Sequence, residues 1–232
     1  MASEKRQYVK YSFYKVDAVW RRLPVEEQEA GRRELEAVVG EFASRMLLRS
    51  YTLVGLRGDV DFLLWQVAEE VEELQALATR VYRTGLGKYL SMPYSYFALT
   101  RRSPYLGHHR HSGQEGVRST LRPSQGEYPY LIVYPFVKSH DWYQLPQEER
   151  QRLMNQHITI GHKYPTVRIN TTYSFGLDDQ EHMVAFETTG LGDFLELVME
   201  LRESQMRPYT LRDTPIFTCL AAELREVLES LG

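Results

Sequence analysis

Apolar and polar positions along the chain follow two periods, and the order in which those periods occur is repeated. Tyr8 to Tyr14 alternates every second residue, the mark of a half-buried strand. After Trp20 and Leu23-Pro24 comes a charged stretch starting near Glu26, with Leu35, Val38, Val39 and Phe42 at helical spacing. Two strands are predicted next, over 47–56 and 61–67, around the turn Arg57-Gly58-Asp59. A helix over 71–82 places Leu74, Leu77, Ala78 and Val81 on one face, and a strand over 94–100 closes the set. The second set runs in the same order: a strand over 130–138, Trp142, Leu145-Pro146, and a helix through about His157. Strands over 167–175 and 182–188 flank Gly176-Leu177-Asp178-Asp179, followed by a helix over 193–203 and a strand over 216–221.

Each set reads β-α-β-β-α-β, the split βαβ or ferredoxin-like unit, with two helices on one face of a four-stranded antiparallel sheet. The other face of each sheet needs cover, and two units in one chain supply it for each other. The expected fold class is α+β, with duplicated ferredoxin-like units packed as a dimeric α+β barrel. The expected division is an N-terminal half over 1–105, a polar connector over 106–128 and a C-terminal half over 129–232. A ligand pocket between sheet and helix costs such a fold little. In the connector, His108, His109 and His111 invite a metal reading, but no partner stands at ligand spacing and a solvated loop explains them more simply.

Composition narrows the function. The net charge is −3 with both signs interleaved, so neither a nucleic-acid stripe nor a polybasic membrane patch is expected. No apolar run approaches the roughly 18 residues of a membrane helix. The one cysteine, Cys219, has no internal disulfide partner, which fits a buried thiol in a reducing, cytoplasmic setting. The 16 Tyr, 9 Phe and 3 Trp favour a sheet-rich protein. The chain has no phosphate-binding G-x-x-x-x-G-K-[ST] or dinucleotide G-x-G-x-x-G after a strand, and no H-E-x-x-H or G-x-S-x-G.

Candidate chemistry gathers in the second set. Tyr134, Phe136 and Lys138 share one face of a strand because their spacing is even. A lysine at a strand end ordinarily snorkels to water, but beside two aromatics it can also pair with an anion lying over that face. His157 falls three and four residues after Met154 and Leu153, so all three share the packed face of their helix. A helix-terminal histidine favoured by the dipole, a satisfied core histidine and a metal ligand are all open for it. Ile169 and Tyr173 share a face of the next strand, with Arg168 on the other.

The segments Tyr134-Pro135-Phe136-Val137-Lys138, Trp142-Tyr143-Gln144-Leu145-Pro146, Leu153-Met154-x-x-His157 and Gly176-Leu177-Asp178-Asp179, in that order, resemble the chlorite dismutase-like haem proteins. The resemblance is closest to the coproheme decarboxylase branch, reaches upstream to Tyr94 and Tyr105 and downstream to Cys219, and so spans nearly the whole chain. It implies an enzyme that turns ferric coproheme (iron coproporphyrin III) into haem b with hydrogen peroxide, by way of a tyrosyl radical. It implies His157 as the proximal iron ligand, Tyr134 as the radical residue and Lys138 as the propionate partner. Phe136, Met154 and Ile169 line the porphyrin in that reading, and Tyr105 and Arg122 reach its outer propionates. The same resemblance implies a homopentamer, while the charge pattern gives no expectation of nucleic-acid or membrane partners. Chlorite dismutases carry a distal arginine where this chain has Ile169, so chlorite splitting is not expected. A haem carrier or sensor with weak peroxidase or catalase activity is the alternative.

Overall fold

The computed structural model describes residues 6–105, 120–124 and 126–232. The first half comprises β1 (Tyr8–Val16), α1 (Val25–Phe42), β2 (Leu47–Thr52), β3 (Phe62–Ala68), α2 (Val71–Tyr82) and β4 (Leu90–Leu99). The second comprises β5 (Tyr130–Lys138), α3 (His140–Gln144), α4 (Gln147–Gly161), β6 (Val167–Tyr173), β7 (His182–Thr188), α5 (Leu191–Glu203), β8 (Thr210–Arg212), β9 (Phe217–Ala221) and α6 (Leu224–Glu229). The duplicated α+β architecture expected from the pattern is present, and each long helix ends where its apolar spacing ends. The strands before the hairpin turns stop early, at Thr52 and Tyr173. Gly55 and Gly176 there take positive φ, 80° and 70°, a conformation that breaks the ladder and suits glycine. Helix α4 continues a turn past His157, so that histidine is not a helix-terminal residue.

All pairings between neighbouring strands are antiparallel, and the sheet closes on itself. The order β7-β6-β4-β1-β3-β2-β9-β5 returns to β7, with β8 appended to the end of β5. The halves join along β4–β6, at Leu99 opposite Tyr173, and along β2–β9, at Tyr51 opposite Ala221. Strand side chains alternate between the barrel interior and the helices. Odd-numbered residues of β1 and β5 point inward, where Tyr11 stacks on Trp65 at 5.4 Å and Phe13 on Phe217 at 4.0 Å. The interior is therefore filled by side chains, with Cys219 buried among them as a free thiol. Any flat ligand has to sit outside the barrel, between sheet and helices.

The described end of the connector is pinned to the barrel rim. The buried carboxylate of Glu187 accepts from the Ser124 backbone N–H (2.7 Å) and from Asn170 Nδ2 (2.9 Å). Arg49 Nε donates to the Ser124 carbonyl (2.6 Å), Arg168 Nη2 to the Arg122 carbonyl (2.7 Å), and Leu121 is buried in the interior. His108, His109 and His111 lie outside the described residues. Helix α6 and strand β8 were not foreseen, being six and three residues long. Val227, Leu228 and Leu231, in α6 and just after it, pack on the first half, against the layer that holds Leu35 and Phe62.

Candidate functional site

The helix-facing side of the second sheet is a grid of three rows. Strand register sets Ile132 opposite Phe186 and Ile169, Tyr134 opposite Val184 and Thr171, and Phe136 opposite His182 and Tyr173. Helices α4 and α5 cover it incompletely. Ile132, Ile160, Val167, Phe186 and Leu197 form the buried cluster there, with Tyr134 packed against it, while Ile169 remains 38% exposed. The even spacing of Tyr134, Phe136 and Lys138 keeps all three on one face, and the closure of the barrel makes that face the helix side rather than the interior.

Lys138 does not snorkel. It is 7% exposed, with Nζ pressed 4.5 Å above the Trp142 ring and 5.0 Å from the Phe136 ring, and that nitrogen has no hydrogen-bond partner among the described residues. Burial lowers its pKa to about 8, partly opposed by the Glu181 carboxylate. Glu181 itself accepts from the Lys138 backbone N–H (2.8 Å) and from Tyr143 Oη (2.6 Å). It orders the strand end and leaves the ammonium uncommitted.

His157 projects from α4 toward the sheet with Leu153, which is buried, and Met154, which packs against the Trp142 cluster. Desolvation, and then the charge of Lys138, lower its pKa to about 4. At neutral pH it is a neutral imidazole, the form that ligates metals. Tyr134 stacks on Phe186 at 5.8 Å, and burial raises its pKa, so it stays a phenol. Its surroundings include a cluster that the sequence did not reveal. Arg202 Nη2 (3.1 Å) and Arg207 Nη1 (2.6 Å) converge on Asp213, and the fields of all three reach the phenol.

Tyr105 meets Trp142 edge-on at 6.3 Å and so reaches the Lys138 end of the grid. Arg122 does not. Its side chain is exposed, and its carbonyl is held by Arg168, whose row includes Leu131. Leu131 lies seven residues from Lys138 along β5, roughly 23 Å at strand rise. His182 was not singled out in the sequence. It is ringed by Phe136, Tyr173 and Phe175 at 6.3, 5.1 and 5.0 Å, with a buried Nδ1 that has no partner among the described residues. Burial, and then Lys138, lower its pKa to about 4. The signal for it was its place two residues before Val184 on the strand that pairs with β5. An open groove of about 790 Å³ follows the outer face of α4 over Gln147, Gln151 and Asn155, and its lining includes none of these candidates.

Among the described residues, no group of three or more His, Cys, Asp or Glu is placed to hold a metal ion, and no helix is long and apolar enough to cross a membrane. Comparison with known proteins adds the following. Residues 28–222 match the family described as Chlorite dismutase. A coproheme decarboxylase of Mycolicibacterium smegmatis is 37% identical over 171 residues, 72% of this chain and 70% of that protein. The structure of chlorite dismutase from Candidatus Nitrospira defluvii in complex with imidazole superposes with a TM-score of 0.88 at 27% identity, covering 100% of this chain and 96% of the other. A novel heme-binding protein from Thermus thermophilus gives 0.83 at 26%, covering 97% and 94%.

Proposed function

The chain belongs to the chlorite dismutase family, and from that premise we propose that it oxidatively decarboxylates ferric coproheme to haem b, with hydrogen peroxide as oxidant. It is a haem-dependent enzyme of the oxidoreductase type. The observation that carries the finer reading is the placement of Tyr134, the unpaired Lys138 ammonium and the neutral His157 around one incompletely covered patch between α4 and the sheet.

The residues fit an iron porphyrin on physical grounds. A single imidazole suits a metal whose other ligands come with a macrocycle. Ile132, Val184, Phe186 and Ile169 offer an apolar wall for its ring. A buried ammonium without a partner suits an acidic side arm. When bound, the porphyrin iron supplies the oxidising power, drawn from peroxide.

His157 ligates through a neutral nitrogen. Lys138 holds a propionate, being protonated below about pH 8. Tyr134 gives up the hydrogen atom of Oη and regains one from the β-carbon of that propionate. Its raised pKa means that proton and electron leave together. Overall, R–CH2–CH2–COO⁻ + H2O2 + H⁺ becomes R–CH=CH2 + CO2 + 2 H2O, so one peroxide is consumed per vinyl group formed. The family also suggests a homopentamer, and the single free cysteine suits the cytoplasm.

Peroxide titration of the coproheme-loaded protein, followed by mass spectrometry, tests this reading. The parent loses one carboxyl and then a second, while Tyr134→Phe binds coproheme and loses none. Normal decarboxylation by that variant would exclude the mechanism. Ile169 favours a second reading: an apolar residue in the distal row offers nothing to polarise an oxidant, which suits a haem carrier or sensor with weak peroxidase activity. Tight haem b binding without coproheme turnover would establish that one.

A further inference from the structure

The repeat supplies an internal control for the site. Trp20 and Trp142 each follow the first strand of their half at the same interval, and Leu23-Pro24 and Leu145-Pro146 each precede the long helix. Counting from these anchors pairs Val16 with Lys138 and Leu35 with His157. The strand registers extend the match: Tyr14 lies opposite Phe62 as Phe136 lies opposite His182. So do the hydrogen bonds, since Val16 N–H donates to Asp61 Oδ2 and Lys138 N–H to Glu181 Oε2, both at 2.8 Å.

Val16, Leu35 and Phe62 are core residues of the first half, 2%, 0% and 0% exposed. Their counterparts are Lys138, His157 and His182, so three apolar plugs in one layer are three nitrogen-bearing side chains in the other. A residue that only packs at the His182 position needs no nitrogen, because Phe62 fills the equivalent place by stacking on Tyr14 at 4.8 Å. Phe136 neighbours both unpaired groups, with Lys138 Nζ 5.0 Å from its ring centre and the His182 ring 6.3 Å away, and the charge of Lys138 is felt at His182. Lys138 Nζ is a donor, His182 Nδ1 becomes one in the tautomer that carries its proton there, and neither atom has a partner among the described residues. Glu181, the neighbouring carboxylate, is already engaged by Tyr143 and the Lys138 backbone.

We propose that His182 is a ligand-binding residue, forming with Lys138 a two-donor seat for one carboxylate side arm of the bound tetrapyrrole. A carboxylate has the shape for this, with two oxygens able to accept from two donors approaching from different strands. One cation and one neutral donor also match a single negative charge without leaving a second buried cation. The assignment rests on the porphyrin reading given above and adds to it the residue that selects for a free acid.

Absorbance titration with iron coproporphyrin III and with its tetramethyl ester separates the two ideas. The parent prefers the acid. His182→Phe, which installs the residue of the first half, weakens acid binding about tenfold, the loss of roughly one charge-linked hydrogen bond, and leaves the ester unchanged. His182→Gln, which keeps an N–H donor, recovers part of that loss. In the Lys138→Val background, His182→Phe costs less than it does alone, because the two donors share one carboxylate. Equal weakening toward acid and ester, or no weakening, would show that His182 only packs and would overturn the seat while leaving the porphyrin reading intact. A parent that shifts the Soret band of neither compound would overturn both.

Discussion

The two halves of this barrel use the same elements in the same order and finish their helix–sheet layers differently. Among the described residues, nineteen buried apolar side chains close the first layer, from Tyr14 and Trp20 to Leu231 of the tail. The second layer has one buried cluster of five around Ile132 and Phe186 and another of three around Trp142. The contrast extends to the helices: α1 buries Leu35, Val38, Val39 and Phe42, while α4 buries only Leu153 and Ile160 of its apolar residues. A duplicated unit thus has one copy that carries stability and one copy left underfilled, with polar atoms inside. Unsatisfied buried polar groups cost about 1–3 kcal/mol each. The first layer holds an unpartnered indole N–H, on Trp20, but the second holds the Lys138 ammonium and a His182 ring nitrogen on either side of one strand pair, and that pairing argues for a ligand that satisfies them.

The hardest break in the comparison is to make the second layer copy the first. Lys138→Val, His157→Leu and His182→Phe together should abolish the Soret shift with coproheme and raise apo-protein stability by on the order of 3 kcal/mol. Denaturant midpoints and absorbance titration read both effects. The reverse change, Leu35→His, puts an imidazole where no ligand can meet it. It should cost about 3 kcal/mol in the same unfolding assay, and a neutral outcome would mean that the first layer is looser than its packing indicates.

A gentler distinction comes from pH. His182 is lowered to about 4 when folded, against 6.5 when free, so above pH 6.5 it is neutral in both states and contributes nothing to the pH dependence. Between 6.5 and 4 the unfolded chain takes up a proton that the folded one refuses, and stability falls by about 2–3 kcal/mol. His182→Phe should flatten that part of the acid limb. Lys138, lowered to about 8 from 10.5, has its effect in the alkaline range. Its buried cation is a burden below pH 8, stability recovers as pH rises toward 10.5, and Lys138→Val should remove that slope.

The smallest effect sharpens the separation of chemistry from folding. Among the described residues no hydrogen bond to the Tyr134 hydroxyl is found, so Tyr134→Phe should change stability by less than about 1 kcal/mol while ending decarboxylation. A large loss of stability would instead make Tyr134 a core residue first.

Much of this was legible along the chain because it depends on local period. Alternation placed Tyr134, Phe136 and Lys138 on one face, and helical spacing placed His157 with Leu153 and Met154. His182 was not legible as a site residue. Its neighbour Phe136 is 46 positions away, and only the β5–β7 register brings the two rings together. The Arg202–Asp213–Arg207 cluster was hidden for the same reason, since it forms where the end of α5 meets the loop after β8. Arg122 lies toward the other end of the sheet from Lys138, because the connector is pinned there by Glu187 and Arg168, so the two would meet different side arms of a bound porphyrin.

Local periodicity dictated the elements, their duplication and the two faces of every strand, because side-chain direction is set by backbone periods of 2 and 3.6 residues. Long-range closure alone selected the face that is free for a ligand. Period two distinguishes two faces without saying which becomes the inside of a closed barrel. That choice follows from the distant pairings β4–β6 and β2–β9, which bury one face of both sheets and fill it with Tyr11, Trp65 and Phe217. The outer face of the second half was left incompletely covered, and closure with the helices above it dried Lys138 and both imidazoles. Their altered protonation is a property of that burial, which no stretch of sequence contains.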